Sequence, residues 1–384
     1  MTLARDDSKQ ILMQTFKHSS STLPVWRVAT QACLDDLNPL PPGARLGFVY
    51  TTDYHAEYLP DIVALCREKT GIEHWVGSVG IGILSTGQEY LDVPALTMMV
   101  AGIPESAFRI LPNLTSPEDL LRHGNEFTVA NQPPWFGMVH GDPRNPHIAE
   151  LIEHAATRTE TGFLVGGLTS SRGHHYQVAD KAMEGGLSGV MFAKQVAVTT
   201  RLTQGVSPLG PHHVITQCRD NIILSLDHRP SLDVLKEDIG ELLSRKLEQL
   251  GGYIFVGLPT QDSDTDDYLV RQLVGIDPET KYIAVGDNVE LGQALMFCRR
   301  DSTSAVVDMQ RMLDSIQRVL TGKPKGAVYY SCLGRGANMF GPNSEELKMI
   351  SQTLGDIPLV GFFANGEICR NRLYGWTGVL TVFT

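Results

Sequence analysis

Four times along the chain an apolar run is followed by a helical stretch and then by a second apolar run holding the dipeptide Val-Gly, each time spanning about 30 residues. The first instance runs from Leu46–Tyr50 through a helical pattern at Leu59–Thr70 to Val76-Gly77. Trp135–His140, Ile148–Ala156 and Val165-Gly166 repeat that order. Tyr253–Gly257, a helix from Asp267 to Leu273, and Val285-Gly286 read as a third instance; Gly326–Ser331, Ser344–Leu354 and Val360-Gly361 are the fourth. Each closes on a further apolar run, at Ala95–Val100, Gly189–Ala193, Gln293–Cys298 and Gly378–Phe383. Val-Gly also occurs at Val79-Gly80, Val256-Gly257 and Val274-Gly275, so the spacing rather than the dipeptide carries the reading. Continuous apolar strands alternating with helices predict an α/β fold of repeated strand-helix-strand-strand units, in two similar halves, with mixed sheets flanked by helices. Residues 46–101 and 326–384 should then be equivalent, with Val76-Gly77 and Val360-Gly361 on corresponding strands.

Three segments follow from the breakers. Residues 1–45 read as a helical lead-in, with Trp26, Ala29, Cys33 and Leu37 at helical spacing before Asn38-Pro39-Leu40-Pro41-Pro42-Gly43. Residues 46–230 form an N-terminal domain and 231–384 a C-terminal one. The second opens on the amphipathic stretch 231–250, which ends at Gly251-Gly252 and reads as a helix joining the two halves.

A formal charge of −11 argues against nucleic acid or an anionic membrane surface as partner. The six cysteines lie far apart with no C-x-x-C pair, which predicts reduced thiols. No leader-like or membrane-spanning apolar run is present, so a cytoplasmic location without membrane insertion is expected.

Familiar catalytic signatures do not appear. There is no P-loop, no G-x-S-x-G elbow, and the Gly80-Ile81-Gly82 stretch has Ser85 where the third dinucleotide-fingerprint glycine belongs. Asp262, Asp264 and Asp266 open like a calcium loop, but Asp267 and Leu273 occupy the positions that need Gly and Glu, so no metal site is expected. All twelve histidines precede residue 229, and the pairs His174-His175 and His212-His213 would point to opposite faces of a strand.

The richest segment is Tyr329-Tyr330-Ser331-Cys332-Leu333-Gly334-Arg335-Gly336, with Pro358-Leu359-Val360-Gly361-Phe362-Phe363-Ala364-Asn365-Gly366-Glu367-Ile368 beyond it. A strand ending in Cys332 enters a loop whose glycines let backbone N–H groups converge on an anion beside the Arg335 fork. Asn365-Gly366-Glu367 places an amide and a carboxylate at the end of a second strand. If the two strands are parallel, their carboxyl ends share one crevice, and Cys332, Arg335, Gly336, Asn365 and Glu367 become the candidate ligand-binding residues. The alternative is that Arg335 and Glu367 bridge each other and Cys332 is a buried strand thiol.

These motifs resemble the C-terminal half of the FIST family, the domain of F-box and intracellular signal transduction proteins, where C-x-G-R-G and G-F-x-x-x-G-E-I recur. Gln204–Gly210, Val214-Ile215-Thr216, Asn221-Ile222-Ile223 and Leu226–Leu232 are similar to the N-terminal half's Q-G-x-x-P-L-G, V-T, N-x-I and L-D-G-x-P-A-L series. His228 and Val206-Ser207 depart from that pattern. The resemblance covers roughly residues 25–384 and implies no F-box. It implies a cytoplasmic sensory protein that binds a small ligand such as an amino acid and signals through a separate protein. No resident cofactor is expected; the family also contains haem-bound nitric oxide sensors, so haem held by one histidine is the alternative. A Cys332 nucleophile would be a third reading, and an enzyme is not expected. The Gln204–Gly210 loop, with Pro208 between two glycines, is expected to pack beside a site rather than hang free.

Overall fold

The computed structural model describes residues 15–122, 127–244, 247, 250–259, 268–320 and 322–384. The first repeat runs β1 (Phe16–Ser21), α1 (Trp26–Leu37), β2 (Leu46–Thr52), α2 (Leu59–Thr70), β3 (His74–Gly80), the hairpin β4 (Gly82–Ser85) and β5 (Gln88–Leu91), then β6 (Leu96–Ala101). The lead-in is therefore only partly helical, because a strand precedes α1 and pairs antiparallel with β6. Every residue of β2 is buried, as a strand covered on both faces requires, and it pairs parallel with β3 across α2. That helix has Pro60 in its first turn and stops at Gly71, whose φ of 68° suits a left-handed cap.

The same order returns in β7 (Phe108–Leu114), α3 (Pro117–Arg122), β8 (Phe136–Gly141), α4 (Ile148–Ala156), β9 (Leu164–Leu168), the hairpin β10 (Gln177–Ala179) and β11 (Lys181–Met183), and β12 (Leu187–Phe192). A third repeat starts at β13 (Val198–Gln204) and is then interrupted. The insertion holds β14 (Val206–Pro208), β15 (His213–Arg219), β16 (Ile222–Leu226), β17 (Arg229–Pro230), α5 (Ser231–Ser244), β18 (Ile254–Pro259), β19 (Tyr268–Asp277), β20 (Tyr282–Val285) and β21 (Ala294–Arg300). The repeat resumes with α6 (Ser302–Val319), β22 (Gly326–Cys332), α7 (Ala337–Phe340), α8 (Glu345–Leu354), β23 (Leu359–Ala364), β24 (Glu367–Cys369), β25 (Arg372–Tyr374) and β26 (Thr377–Phe383).

Three six-stranded mixed sheets result, with orders β1-β6-β2-β3-β10-β11, β7-β12-β8-β9-β24-β25 and β13-β26-β22-β23-β4-β5. The pattern is identical in each, and the last two strands of each sheet belong to another repeat. Repeat one gives its hairpin to repeat three, repeat three to repeat two, and repeat two to repeat one. Val76-Gly77 and Val360-Gly361 do lie on corresponding strands, as does Val165-Gly166. Glycine is needed there because a methyl group on Gly77, Gly166 or Gly361 would sit 1.7, 1.8 or 1.7 Å from the carbonyl oxygen of Val49, Val139 or Tyr329 on the adjacent parallel strand.

Residues 253–298 are not a fourth such unit. Tyr268–Asp277, read as holding a helix, is a strand. Leu269, Val270, Leu273 and Val274 satisfy helical spacing, and a bulge between Leu273 and Gly275 removes the strict alternation that would have marked the strand. The insertion closes instead into an antiparallel barrel, β15-β16-β20-β19-β18-β21, since β21 pairs with both β15 and β18. Its strands come from both sides of residue 230. α5 does not bridge two halves: Leu232, Val234, Leu235 and Ile239 pack into the barrel core with Ile223, Ile254 and Phe297. The helical path breaks at Gly240, at φ 76° and ψ 167°.

α5 is also tied to the barrel by charge. His213 of β15 donates from Nδ1 to Asp227 at 2.6 Å and from Nε2 to Asp238 of α5 at 2.9 Å. Burial acts to lower the imidazole pKa, but the two carboxylates outweigh it and hold it above its ordinary value. A raised folded-state pKa stabilises the fold fully below about pH 6.5 and loses that contribution as pH rises through the raised value. The difference in melting midpoint between wild type and His213→Gln should therefore be largest in mild acid and shrink with alkalinity; a difference that is flat with pH would show that the clamp is not ionic.

Candidate functional site

The register of the parallel pairs makes positions in the three repeats comparable. Val49, Val139 and Tyr329 face the three close-approach glycines, so Tyr50, His140 and Tyr330 are equivalent. All three are fully buried and meet where the sheets converge: the Tyr50 hydroxyl lies 3.1 Å from His140 Nε2 and 3.3 Å from the Tyr330 hydroxyl, which lies 3.4 Å from the same nitrogen. Burial pushes His140 down to about 3, so this knot is neutral.

Two or three residues further on, the strand ends diverge in chemistry. In the first repeat Asp53, just past Thr52, receives the Arg172 guanidinium at 2.7 and 2.9 Å. In the second, Asp142 receives Arg144 at 3.0 and 2.7 Å and the Gly185 N–H at 2.9 Å. Cys332 holds the corresponding place in the third, and there the strand end opens on a cleft of about 740 Å³. Cys332, Asn365, Gly366 and Trp376 form one wall, residues 269–272 of the barrel a second, and Glu150 and Glu153 of α4 with Arg372 of β25 complete the rim. Trp376 is held at φ 64°, a left-handed conformation that a bulky residue adopts at a cost, with Phe255 edge-on at 4.9 Å and the Arg300 guanidinium 4.8 Å from its ring.

Of the five residues singled out from the sequence, Cys332 and Asn365 line the cleft, and Glu367 lies fully buried behind its wall. Burial pushes the Cys332 thiol up to about 12, with Glu367 adding to the effect against the N–H groups of Gly334 and Trp376. Burial likewise pushes the Glu367 carboxyl up to about 8, although Thr377 donates to it from N at 3.1 Å and Oγ1 at 2.7 Å. Arg335 and Gly336 sit apart, in a buried cluster around Glu346 of α8. Arg335 donates from Nε to Glu346 at 2.8 Å, Gly336 from its backbone N at 3.0 Å, and Tyr329 from its hydroxyl at 2.6 Å. The combination of guanidinium and N–H groups read from the loop is thus realised, with the anion supplied by the protein itself rather than by Glu367.

Glu346 carried a signal: with Leu347 and Ile350 it falls on the buried stripe of α8, an unusual place for a carboxylate. Trp376 and Arg372 had none, because they reach the cleft through strand pairings distant in sequence, and the barrel wall had none, because it belongs to the insertion. The Gln204–Gly210 loop is packed, with Val206–Pro208 paired to β21 and Gly205 donating to the Trp376 carbonyl at 2.8 Å. Gln204, Val206, Ser207 and Pro208 also wall a second cavity of about 490 Å³. The acidic run Asp262–Asp266 lies outside the described residues; among those described, no group of three or more His, Cys, Asp or Glu side chains is placed to hold a metal ion. No helix among them is long and apolar enough to cross a membrane.

Comparison with known proteins gives this geometry a family. Residues 45–229 match the FIST N domain and residues 231–370 the FIST C domain. Among the relatives, Uncharacterized protein Rv0628c of Mycobacterium tuberculosis (strain ATCC 25618 / H37Rv) is 30% identical over 382 residues, covering 94% of this chain and 98% of the relative. Uncharacterized protein Mb0898c of Mycobacterium bovis is 27% identical over 342 residues, covering 86% and 88%. With both domain profiles matched in order across most of its length, the chain belongs to the FIST family, whose domains are associated with signal-transduction sensing.

Proposed function

We propose that this protein is a cytoplasmic sensor that binds a small ligand of amino-acid size in the cleft at Cys332 and Asn365 and passes the signal to a separate protein. One observation carries the reading. Of three equivalent strand ends, those at Asp53 and Asp142 are closed by guanidinium–carboxylate pairs, while that at Cys332 is left open and walled by the inserted barrel. Carboxyl ends of parallel strands are where such sheets bind ligands. The rim holds both signs of charge, Arg372 against Glu150 and Glu153, beside an Arg271–Asp287 pair bonded at 2.7 Å, which suits a zwitterion. Glu367, behind the wall, supports an amine in the ligand; Arg335, paired with Glu346, enters the reading as a support for the loop.

Calorimetric titration with each of the common amino acids tests this. One or more should bind, and Asn365→Ala, which removes an exposed amide from the rim and leaves the fold intact, should weaken binding about tenfold, the equivalent of one lost hydrogen bond. Binding unaffected by Asn365→Ala and by Trp376→Ala would remove the ligand from this cleft. The haem reading is separated optically. Among the described residues the cleft wall holds no histidine, so a Soret band in the purified protein would move the sensing site elsewhere. A thiol held up to about 12 stays protonated at neutral pH, which weighs against Cys332 as a nucleophile.

A further inference from the structure

Glu367 is fully buried, and only one of its two oxygens is served by the protein's own N–H and O–H groups. Oε2 accepts both bonds from Thr377, while Oε1 meets no such donor. Its side-chain neighbour is the Cys332 thiol, and the residues beside Glu367 and Thr377 in the chain, Gly366 and Trp376, line the cleft as Cys332 does. The unserved oxygen therefore lies one layer behind the surface a ligand would touch.

We propose that filling the cleft is coupled to a proton on Glu367: the carboxyl is neutral in the empty protein and ionises when a ligand's ammonium group comes to rest against the wall formed by Cys332, Gly366 and Trp376. The proposal rests on the cleft being the ligand site. Its physical basis is that an ionised carboxylate with an unpaired buried oxygen is costly, and that the proton is the least expensive way to serve that oxygen until a cation arrives.

The charges around Glu367 leave this role to the ligand. Arg335 is close enough to favour ionisation, but its Nε is engaged by Glu346 and neither Nη1 nor Nη2 makes a hydrogen bond to Oε1. Cys332 faces Glu367 as a neutral thiol whose weak S–H hydrogen bond also favours ionisation, and Arg300, next beyond Cys332, lies over Trp376 and donates to the Gly334 carbonyl. Burial wins over these, leaving the carboxyl at about 8. In the binding step the O–H bond of Glu367 breaks, the proton leaves to buffer, and the ammonium keeps its own proton; no electrons move.

The test is calorimetric titration of the wild-type protein with glycine, L-glutamate and L-arginine near neutral pH, in two buffers of different ionisation enthalpy. A ligand that binds should release close to one proton, seen as a buffer-dependent heat. Its affinity should rise about tenfold per pH unit up to roughly pH 8 and then level. Glu367→Gln should bind with buffer-independent heat. A wild-type heat that is the same in both buffers overturns the proton coupling while leaving the cleft as the binding site. Absence of binding by all three overturns the cleft reading, and the coupling with it.

Discussion

Gly361→Ala should leave no folded protein to assay. The added methyl would lie 1.7 Å from the Tyr329 carbonyl oxygen, inside a sheet whose central strands are buried on both sides except at Cys332. Neither strand can move to relieve that contact without breaking the parallel pairing from Ala327–Leu359 to Cys332–Ala364. The expected result is insoluble or unfolded product by circular dichroism. Gly275→Ala is the matched control in the barrel: its methyl would meet nothing closer than the Ala284 Cβ at 3.4 Å, and its stability should stay within about 1 kcal/mol of wild type. A soluble, cooperatively melting Gly361→Ala protein would mean that the strand spacing described here is wrong.

Glu346→Leu should be the most damaging change among the buried polar residues. It leaves the Arg335 guanidinium, 1% exposed, without its carboxylate, and removes the acceptor of Tyr329, Ser331 and Gly336 at once. Removing one partner of a buried ion pair costs ~3–5 kcal/mol, a large share of the ~5–15 kcal/mol that separates folded from unfolded domains. Glu346→Gln keeps one acceptor oxygen, which can serve Tyr329 and Arg335 at the Oε1 position but turns an amide N–H toward the Gly336 N–H, and it should lose less than Glu346→Leu. Among the described residues Arg335 Nη1 and Nη2 meet no hydrogen-bond partner, and the guanidinium lies 5.0 Å from the Phe340 ring, so Glu346 is its main support. Urea denaturation of the two variants orders them; a Glu346→Leu midpoint equal to wild type would show that the pair contributes nothing net.

The parallel units were legible because strands covered on both faces are written as unbroken apolar runs, and because glycine is the only residue that tolerates the backbone approach at positions 77, 166 and 361. The carboxyl ends of those strands were legible for the same reason, which is why Cys332 and Asn365 could be placed at adjacent strand ends. The partner of Arg335 was legible only in part: the place of Glu346 on the apolar stripe of α8 marks it as buried, but in the first turn of a helix it also looks like any acidic residue complementing an N-terminus, and nothing local ties it to Arg335. Nor was the barrel wall of the cleft, where the bulge at Leu273/Gly275 lets a strand imitate a helix. The hairpin exchange rests on pairings such as Gly361 with Leu84, far apart in the chain, to which a local pattern is blind.

That exchange makes the molecule a domain-swapped trimer written as one polypeptide. Because each repeat lends its hairpin to the next around a ring, none owns a complete sheet, and a repeat cut free would carry both an unclaimed hairpin and an uncovered strand edge. The covalent joints between repeats are thus secondary to the swapped contacts in holding the ring together. Such a ring can diverge in its parts without coming apart: one repeat has accepted an entire barrel between β13 and α6, and the open strand end beside that barrel is where the threefold likeness of the strand ends is lost.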